Sequence, residues 1–420
     1  MNRRAYLATA GAVTFAGCSA LTDADSEPAD DNGDENGDGN GDENGDGNGD
    51  ENGSSDPIDE EPGSFDAFED LSAWTVMEGS LVADEERAIA GTQSARMEAD
   101  ATDDRAMIKR EFDSPRDLST EFPALAFASD HDVSPTIQLT DADGDRMLLQ
   151  CSVAADGPLV RRDLAITDVL GDPDLSSIVH TKISFWAGDR DLTLWCDDYH
   201  FVERPDTGLV SLQFPNESIL DDAASVLEAY DYPATAFVST DYVGTEGHPS
   251  LSELESLRDD GWTIASKGAT GTDPTQLDAS QQEDQLSTAA TWLDDHGFDD
   301  AFFSYPLNRY DETALDLVAE YHDLAFVSGH AGHGHVTNPQ LAPRATNPDA
   351  DEAAQLLEWA AEYGTIVTLS FRSFEDETIW FGENRSLAEF EDTLSMLSDL
   401  EADGDLEVVS PADLASEYLH

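Results

Sequence analysis

Lys267, Arg344 and Arg372 are the first residues that suggest chemistry. Each stands at or near the end of a short apolar run, in a chain with 91 acidic residues and 20 basic ones. Gathered in one cleft, they would suit an anionic sugar such as a uronate or sulfated glycan, because ammonium and guanidinium groups make charge-assisted hydrogen bonds to such oxygens. The competing expectation is that each pairs with a neighbouring Asp or Glu, which so acidic a chain readily supplies. "GHAGHGHV" offers His330, His333 and His335, expected near the face that carries the strand ends. Three histidines could hold zinc, but no carboxylate or cysteine accompanies them at a diagnostic spacing, and the reading favours exposed loop histidines. Trp74, Trp186, Trp195 and Tyr199 could form a sugar-stacking face, or be strand aromatics that simply fill a core. Cys151 and Cys196 would either pair in an oxidising compartment or remain free buried thiols.

The elements that must position these residues fall into two regions. From about residue 206 strands and helices alternate: strands are expected at Leu209–Phe214, Ala234–Val238, Thr263–Ser266, Ala301–Ser304, Leu324–Ser328, Thr365–Phe371 and Leu406–Val409, with amphipathic helices between most of them. Seven such units in series imply an α/β fold, a parallel sheet closed or nearly closed into a barrel, with any chemistry at the C-terminal ends of the strands. Residues 63–205 lack helical periodicity. "TIQLTDADGDRMLLQCSV" and "TKISFWAGDRDLTLWCDDYHFV" each read as two alternating strands around a turn, which implies an all-β sandwich. "LTLWCDDYHFV" resembles the last strand of jelly-roll modules that accompany carbohydrate-active enzymes, and this resemblance implies a carbohydrate-binding module.

"VSLQFPNE", "YPATAFVSTDYVG", "LSELESLRDDGWTIASKGATGTD", "FFSYPLNRYDETALDLVAEYHDLAFVSG" and "GTIVTLSFRSF" follow one another in the order and spacing of a known family. Residues 206–420 thereby resemble the polysaccharide deacetylases (NodB homology, carbohydrate esterase family 4). The resemblance implies a distorted (β/α) barrel that removes acetyl groups from N-acetylated sugars, usually with one zinc ion. Amide hydrolysis needs a polarised carbonyl, an activated water, a base and an acid, which a metal held by two His and an Asp, a second carboxylate and a further His can supply.

This chain departs from the family at each of those positions. Where the family carries "TFDDG", the sequence reads "QFPNE", so Pro215 takes the base position and Asn216 a metal-ligand position. Where the family carries "SHxxxH", Lys267 and Gly271 stand in place of the two histidines. Arg372 in "TLSFRSF" takes the position of the acid His. Proline and glycine have no side-chain group for this work, Asn216 alone is a poor ligand, and Lys267 places a positive charge where the metal would lie. The resemblance then implies a catalytically degenerate, glycan-binding homologue without the family metal. The alternatives are an N- or O-deacetylating carbohydrate hydrolase acting through non-standard residues, and a structural surface protein.

The two ends speak to location. "MNRRAYLATAGAVTFAGCSAL", the start of a leader at residues 1–22, has two arginines, a short apolar run and Gly17-Cys18; it resembles a twin-arginine export signal ending in a lipoprotein box, which implies lipid attachment at Cys18 and display on the outer face of the membrane. Residues 23–62, an Asn/Gly/Asp/Glu repeat with nothing to bury, read as a disordered acidic tether. The formal charge of −71 fits a halophile, where counter-ions screen self-repulsion, and argues against nucleic acid as a partner.

Overall fold

A computed structural model describes residues 63–374 and 385–420, which belong to one compact unit. Cys18 and the acidic tether lie outside the described residues.

Between Ser64 and Glu203 the chain forms two six-stranded antiparallel sheets. Alternation explains their packing: Ile137, Leu139, Ile183 and Phe185 of one sheet meet Leu125, Phe127, Leu194 and Cys196 of the other in a shared core. The first expected hairpin is present, Thr136–Asp141 pairing with Arg146–Gln150. The second is not. Ile178–Trp186 pairs with Arg105–Arg116 and Thr136–Asp141 in one sheet, while Leu192–Glu203 lies at the heart of the other. Both runs alternate, but their apolar faces look at the same core from opposite sides, so the connection crosses between sheets instead of folding back within one.

The second half is a closed ring of seven parallel strands: β1 Gly208–Phe214, β2 Thr235–Val238, β3 Thr263–Ser266, β4 Phe302–Ser304, β5 Leu324–Ser328, β6 Ala342–Thr346 and β7 Ile366–Ser370, with β7 and β2 both pairing with β1. The sequence reading placed no strand at β6, where "APRAT" follows Pro339 and carries a proline and an arginine. It also counted Leu406–Val409 in the ring; as β8, Leu406–Val408, this segment instead flanks β1 from outside. Helices α1 Leu220–Leu227, α2 Leu251–Asp259, α3 Ala279–His296, α4 Glu312–Tyr321, α5 Ala350–Tyr363, α6 Leu387–Asp403 and α7 Pro411–Glu417 complete the region. Ser250, Asp278, Ser386 and Ser410 start four of them with reciprocal capping boxes.

Inside the ring the side chains change character along the strands. Leu209, Phe237, Ala265, Phe302, Leu324, Phe326, Ala342 and Ile366 form one apolar cluster. Toward the strand C-termini stand Gln213, Ser304, Arg344 and Ser370, all buried. The outward faces of β1 and β7, with Val210, Leu212, Phe214, Val367 and Leu369, pack on the helices. Gly208 opens β1 because a Cβ there would lie 2.3 Å from the Ala360 carbonyl oxygen of α5.

The loop from β5 to β6 joins the two regions. Thr337 donates from its N–H and hydroxyl to Asp163, the Ile166 N–H donates to the Gly332 carbonyl, and the His335 N–H donates to the Glu203 carbonyl. Trp359 and Tyr363 of α5 also pack against the sandwich core.

Candidate functional site at the barrel mouth

Pro215, Asn216 and Glu217 leave β1 at its C-terminal end, where Asn216 is an adaptor within the fold. Its Oδ1 accepts from the Ser218 N–H and hydroxyl at 3.2 and 3.1 Å, and its Nδ2 donates to the Arg372 carbonyl at 2.7 Å, tying the ends of β1 and β7 together. Lys267, just past β3, donates from Nζ to the Pro215 carbonyl at 2.8 Å and to Glu217 Oε2 at 3.0 Å. The other carboxylate oxygen of Glu217 accepts from the Ser239 N–H at 2.8 Å. One buried ion pair therefore joins the ends of β1, β2 and β3, with the Glu217 side chain 6% exposed and that of Lys267 18%. Glu217 is the residue that sequence reasoning missed, although its place three residues after the end of a barrel strand, next to Asn216, was a usable signal.

Gly271 has φ +61°, and a Cβ there would lie 2.7 Å from Ser239 Oγ and 3.4 Å from Lys267 Cε. A larger residue would meet both backbone strain and a filled space. These residues do not fit a divalent cation: one position is an ammonium group paired with a carboxylate, one an amide spent on backbone partners, and one a crowded glycine. Among the described residues no three His, Cys, Asp or Glu side chains are grouped to hold a metal.

The proposed basic cleft is divided by burial. Arg344 of β6 points into the ring, 3% exposed, and donates to Gln213 Oε1 at 3.2 Å, Ser304 Oγ at 2.8 Å and Asn308 Oδ1 at 3.3 Å. Its guanidinium lies 5.8 Å from the centre of the Phe237 ring. Burial, assisted by the nearby charge of Arg372, pushes its pKa down to about 9, so it stays cationic at neutral pH. Arg344 thus holds the upper barrel together from within, and a glycan outside would not reach it. Arg372, at the end of β7, is half-buried, and burial lowers its pKa as well. Lys267 is drawn away from any ligand by Glu217. The structure brings Arg344 and Arg372 near one another and gives Lys267 a partner of its own.

The turn after β4 is strained. Leu307 and Asn308 both adopt left-handed backbone, with φ +54° and +56°. Asn308 gains from this, since its Oδ1 accepts from both the Ser328 N–H and Arg344. Leu307 is left 69% exposed beside the mouth. Left-handed backbone costs a non-glycine residue about 1–2 kcal/mol. Leu307→Gly is therefore expected to raise stability by about 0.5–1 kcal/mol after glycine's entropy cost is subtracted, and Leu307→Ala to change it little, as read from denaturant midpoints.

The remaining sequence candidates lie elsewhere. His333 is buried; its N–H donates to the Ile366 carbonyl at the start of β7, and its Nδ1 bonds the Gly334 carbonyl. For His333 that is the N-terminal end of the strands, opposite to the mouth where it was expected, while His330 lies two residues after the C-terminal end of β5. The expectation of exposure fails because the loop runs down the barrel into the seam with the sandwich. Burial lowers the pKa of His330, His333 and His335 alike. Cys151 and Cys196 are free and buried, and burial pushes the Cys151 thiol up to about 12.

Of the four aromatics, Trp74 and Tyr199 are core, their rings stacked 6.4 Å apart. Trp195 donates to Asp84 and carries the Arg87 guanidinium 4.0 Å above its ring. Only Trp186 among them is largely exposed, at 58%.

Residues 206–325, from β1 into β5, match the profile of the polysaccharide deacetylase family. No curated protein sequence matches the chain. Similar solved structures include the carbohydrate esterase family 4 domain of a multidomain xylanase from the hindgut metagenome of Trinervitermes trinervoides, at 16% identity and TM-score 0.34 over 50% of this chain and 90% of that one. A family 4 carbohydrate esterase from Streptomyces lividans, in complex with acetate, aligns at 14% identity and TM-score 0.32 over 50% of this chain and 93% of that one. A family 4 pseudoenzyme from Bacillus anthracis aligns at 15% identity and TM-score 0.34 over 51% of this chain and 68% of that one. The first part of the parallel barrel that follows the antiparallel sheets, residues 206–325, is therefore what matches the polysaccharide deacetylase profile.

Proposed function

We propose that this chain is a surface-tethered, glycan-binding member of the deacetylase type that does not hydrolyse its ligand by the family's metal chemistry. The observation that carries this reading is the Lys267–Glu217 pair. The acidic group near the end of β1 and the cation beyond β3 satisfy each other, and Pro215 and Ser239 complete their hydrogen bonding. A general base must be able to take a proton, and a carboxylate held by an ammonium at 3.0 Å is poorly suited to it. Retention of the barrel with Lys267 and Glu217 spent on each other at its mouth supports a role other than turnover by the family chemistry.

The export signal resembling a twin-arginine lipoprotein leader, with Cys18 as the lipid attachment point, and the acidic tether support display on the outside of the membrane. The −71 charge supports a high-salt environment and a partner other than nucleic acid.

Affinity precipitation of the purified chain with insoluble polysaccharides in concentrated salt tests the reading. Retention on at least one glycan, unchanged by a chelator, is the expected result. Absence of binding to neutral, amino and acidic polysaccharides alike would remove glycan recognition and favour the structural role.

A further inference from the structure

The sandwich carries a second candidate surface that the barrel does not involve. Trp186 ends its strand directly opposite Arg105, and the chain beyond it is pinned where the N–H groups of Ala187 and Gly188 donate to the Asp104 carbonyl at 2.9 and 3.1 Å. On the neighbouring edge strand, Thr75–Glu78, the register shifts between Val76 and Glu78. Two successive apolar side chains, Val76 at 44% and Met77 at 50% exposure, face solvent there. These residues and Trp186 line one open cleft of about 700 Å³, within the range that seats sugar-sized ligands.

The polar part of the cleft decides what would sit there. Arg105 forks onto Glu78 with two bonds of 2.6 Å, so these two charges neutralise each other. Asp103 and Asp104 complete the lining, and Thr102 lies beside them in the same lining. An exposed indole is the usual platform for the apolar face of a pyranose. A carboxylate pair beside it favours a ring that carries a positive charge, since an ammonium makes charge-assisted hydrogen bonds to carboxylate oxygens. A uronate or sulfated sugar would be repelled.

We infer that this cleft binds a polysaccharide bearing free amino groups, an amino sugar without its acetyl group, with Trp186 under the ring and Asp103 and Asp104 facing the ammonium. The inference deepens the glycan-recognition reading and rests on it, while placing the contact on the sandwich and assigning the charge of the ligand.

The test is calorimetric titration of the full chain with β-1,4-linked oligomers of glucosamine and, separately, of N-acetylglucosamine, at low and high salt. The amine oligomer is expected to bind, more weakly as salt rises, and Trp186→Ala to weaken it at least tenfold. Asp103→Asn with Asp104→Asn should remove the preference for the amine form. Asp221→Asn with Asp222→Asn, which changes the net charge equally at exposed positions on α1, should leave it intact. Equal or tighter binding of the N-acetylated oligomer overturns the inference and leaves the broader reading standing. So does an amine affinity that all three variants leave unchanged, which marks diffuse attraction to an acidic surface. If neither oligomer binds, the inference fails, and the polysaccharide precipitation decides the broader reading independently.

Discussion

Lys267→Met is expected to destabilise the protein by about 3 kcal/mol, because removing one member of a buried pair leaves the other charged and uncompensated. The Glu217 side chain is 6% exposed, and after the substitution its carboxylate keeps the Ser239 N–H as its protein donor. The loss lies at the lower end of the usual range because Lys267 itself retains some contact with water. Lys267→Met combined with Glu217→Gln should recover most of the loss: the amide still accepts from Ser239 and no longer carries charge. Both effects should persist in concentrated salt, since the pair is shielded from counter-ions, unlike the exposed acidic surface. The measurement is chemical unfolding of the single and double variants at two salt concentrations. A double variant as unstable as the single one would show that Lys267 matters through packing and not through its charge.

The second large effect is on acid stability. His322 follows α4, 3% exposed, with its ring 5.0 Å from that of Phe303 and its Nδ1 bonded to the Asp300 carbonyl at 2.6 Å. Burial pushes its pKa down to about 4, against smaller opposing contributions from Asp300 and Asp323. The folded state thus keeps the ring neutral, while the unfolded chain takes up a proton near pH 6.5. The contribution is present above pH 6.5 and is lost as pH falls from there to about 4, where the loss reaches about 3 kcal/mol. His322→Gln, which cannot titrate, should flatten the fall in stability between pH 6.5 and 4 by roughly that amount, read as the difference between two stability-versus-pH curves. Carboxylate protonation affects both proteins and cancels in that difference. Parallel curves would refute the assignment.

Much of the barrel was legible because each of its strands except one announces itself by a short apolar run. β1, "GLVSLQF", is buried along its whole length, and its pattern reads as such. β6 escaped because the inward residue that completes the ring is Arg344, whose charge marks a loop in the sequence and a barrel-spanning brace in the structure. The same residue explains the uneven reading of the site. A cation near a strand end looks the same in sequence whether it faces a ligand, crosses the ring, or meets a glutamate fifty positions away, as Lys267 does. His333 of "GHAGHGHV" was placed at the wrong end because sequence does not say how far down the barrel a loop travels. In the sandwich, alternation identified strands but not which sheet each one joins, which is why Trp186 and Leu192 were expected to flank a single hairpin.

The central claim is that a chain with a deacetylase-type barrel binds glycan without hydrolysing it, and the most direct measurement is free acetate released from N-acetylated oligosaccharide by the full chain with zinc supplied in excess. The account predicts no acetate above the protein-free blank, with the oligosaccharide recovered intact. Release that scales with protein concentration and disappears in Lys267→Ala would contradict it.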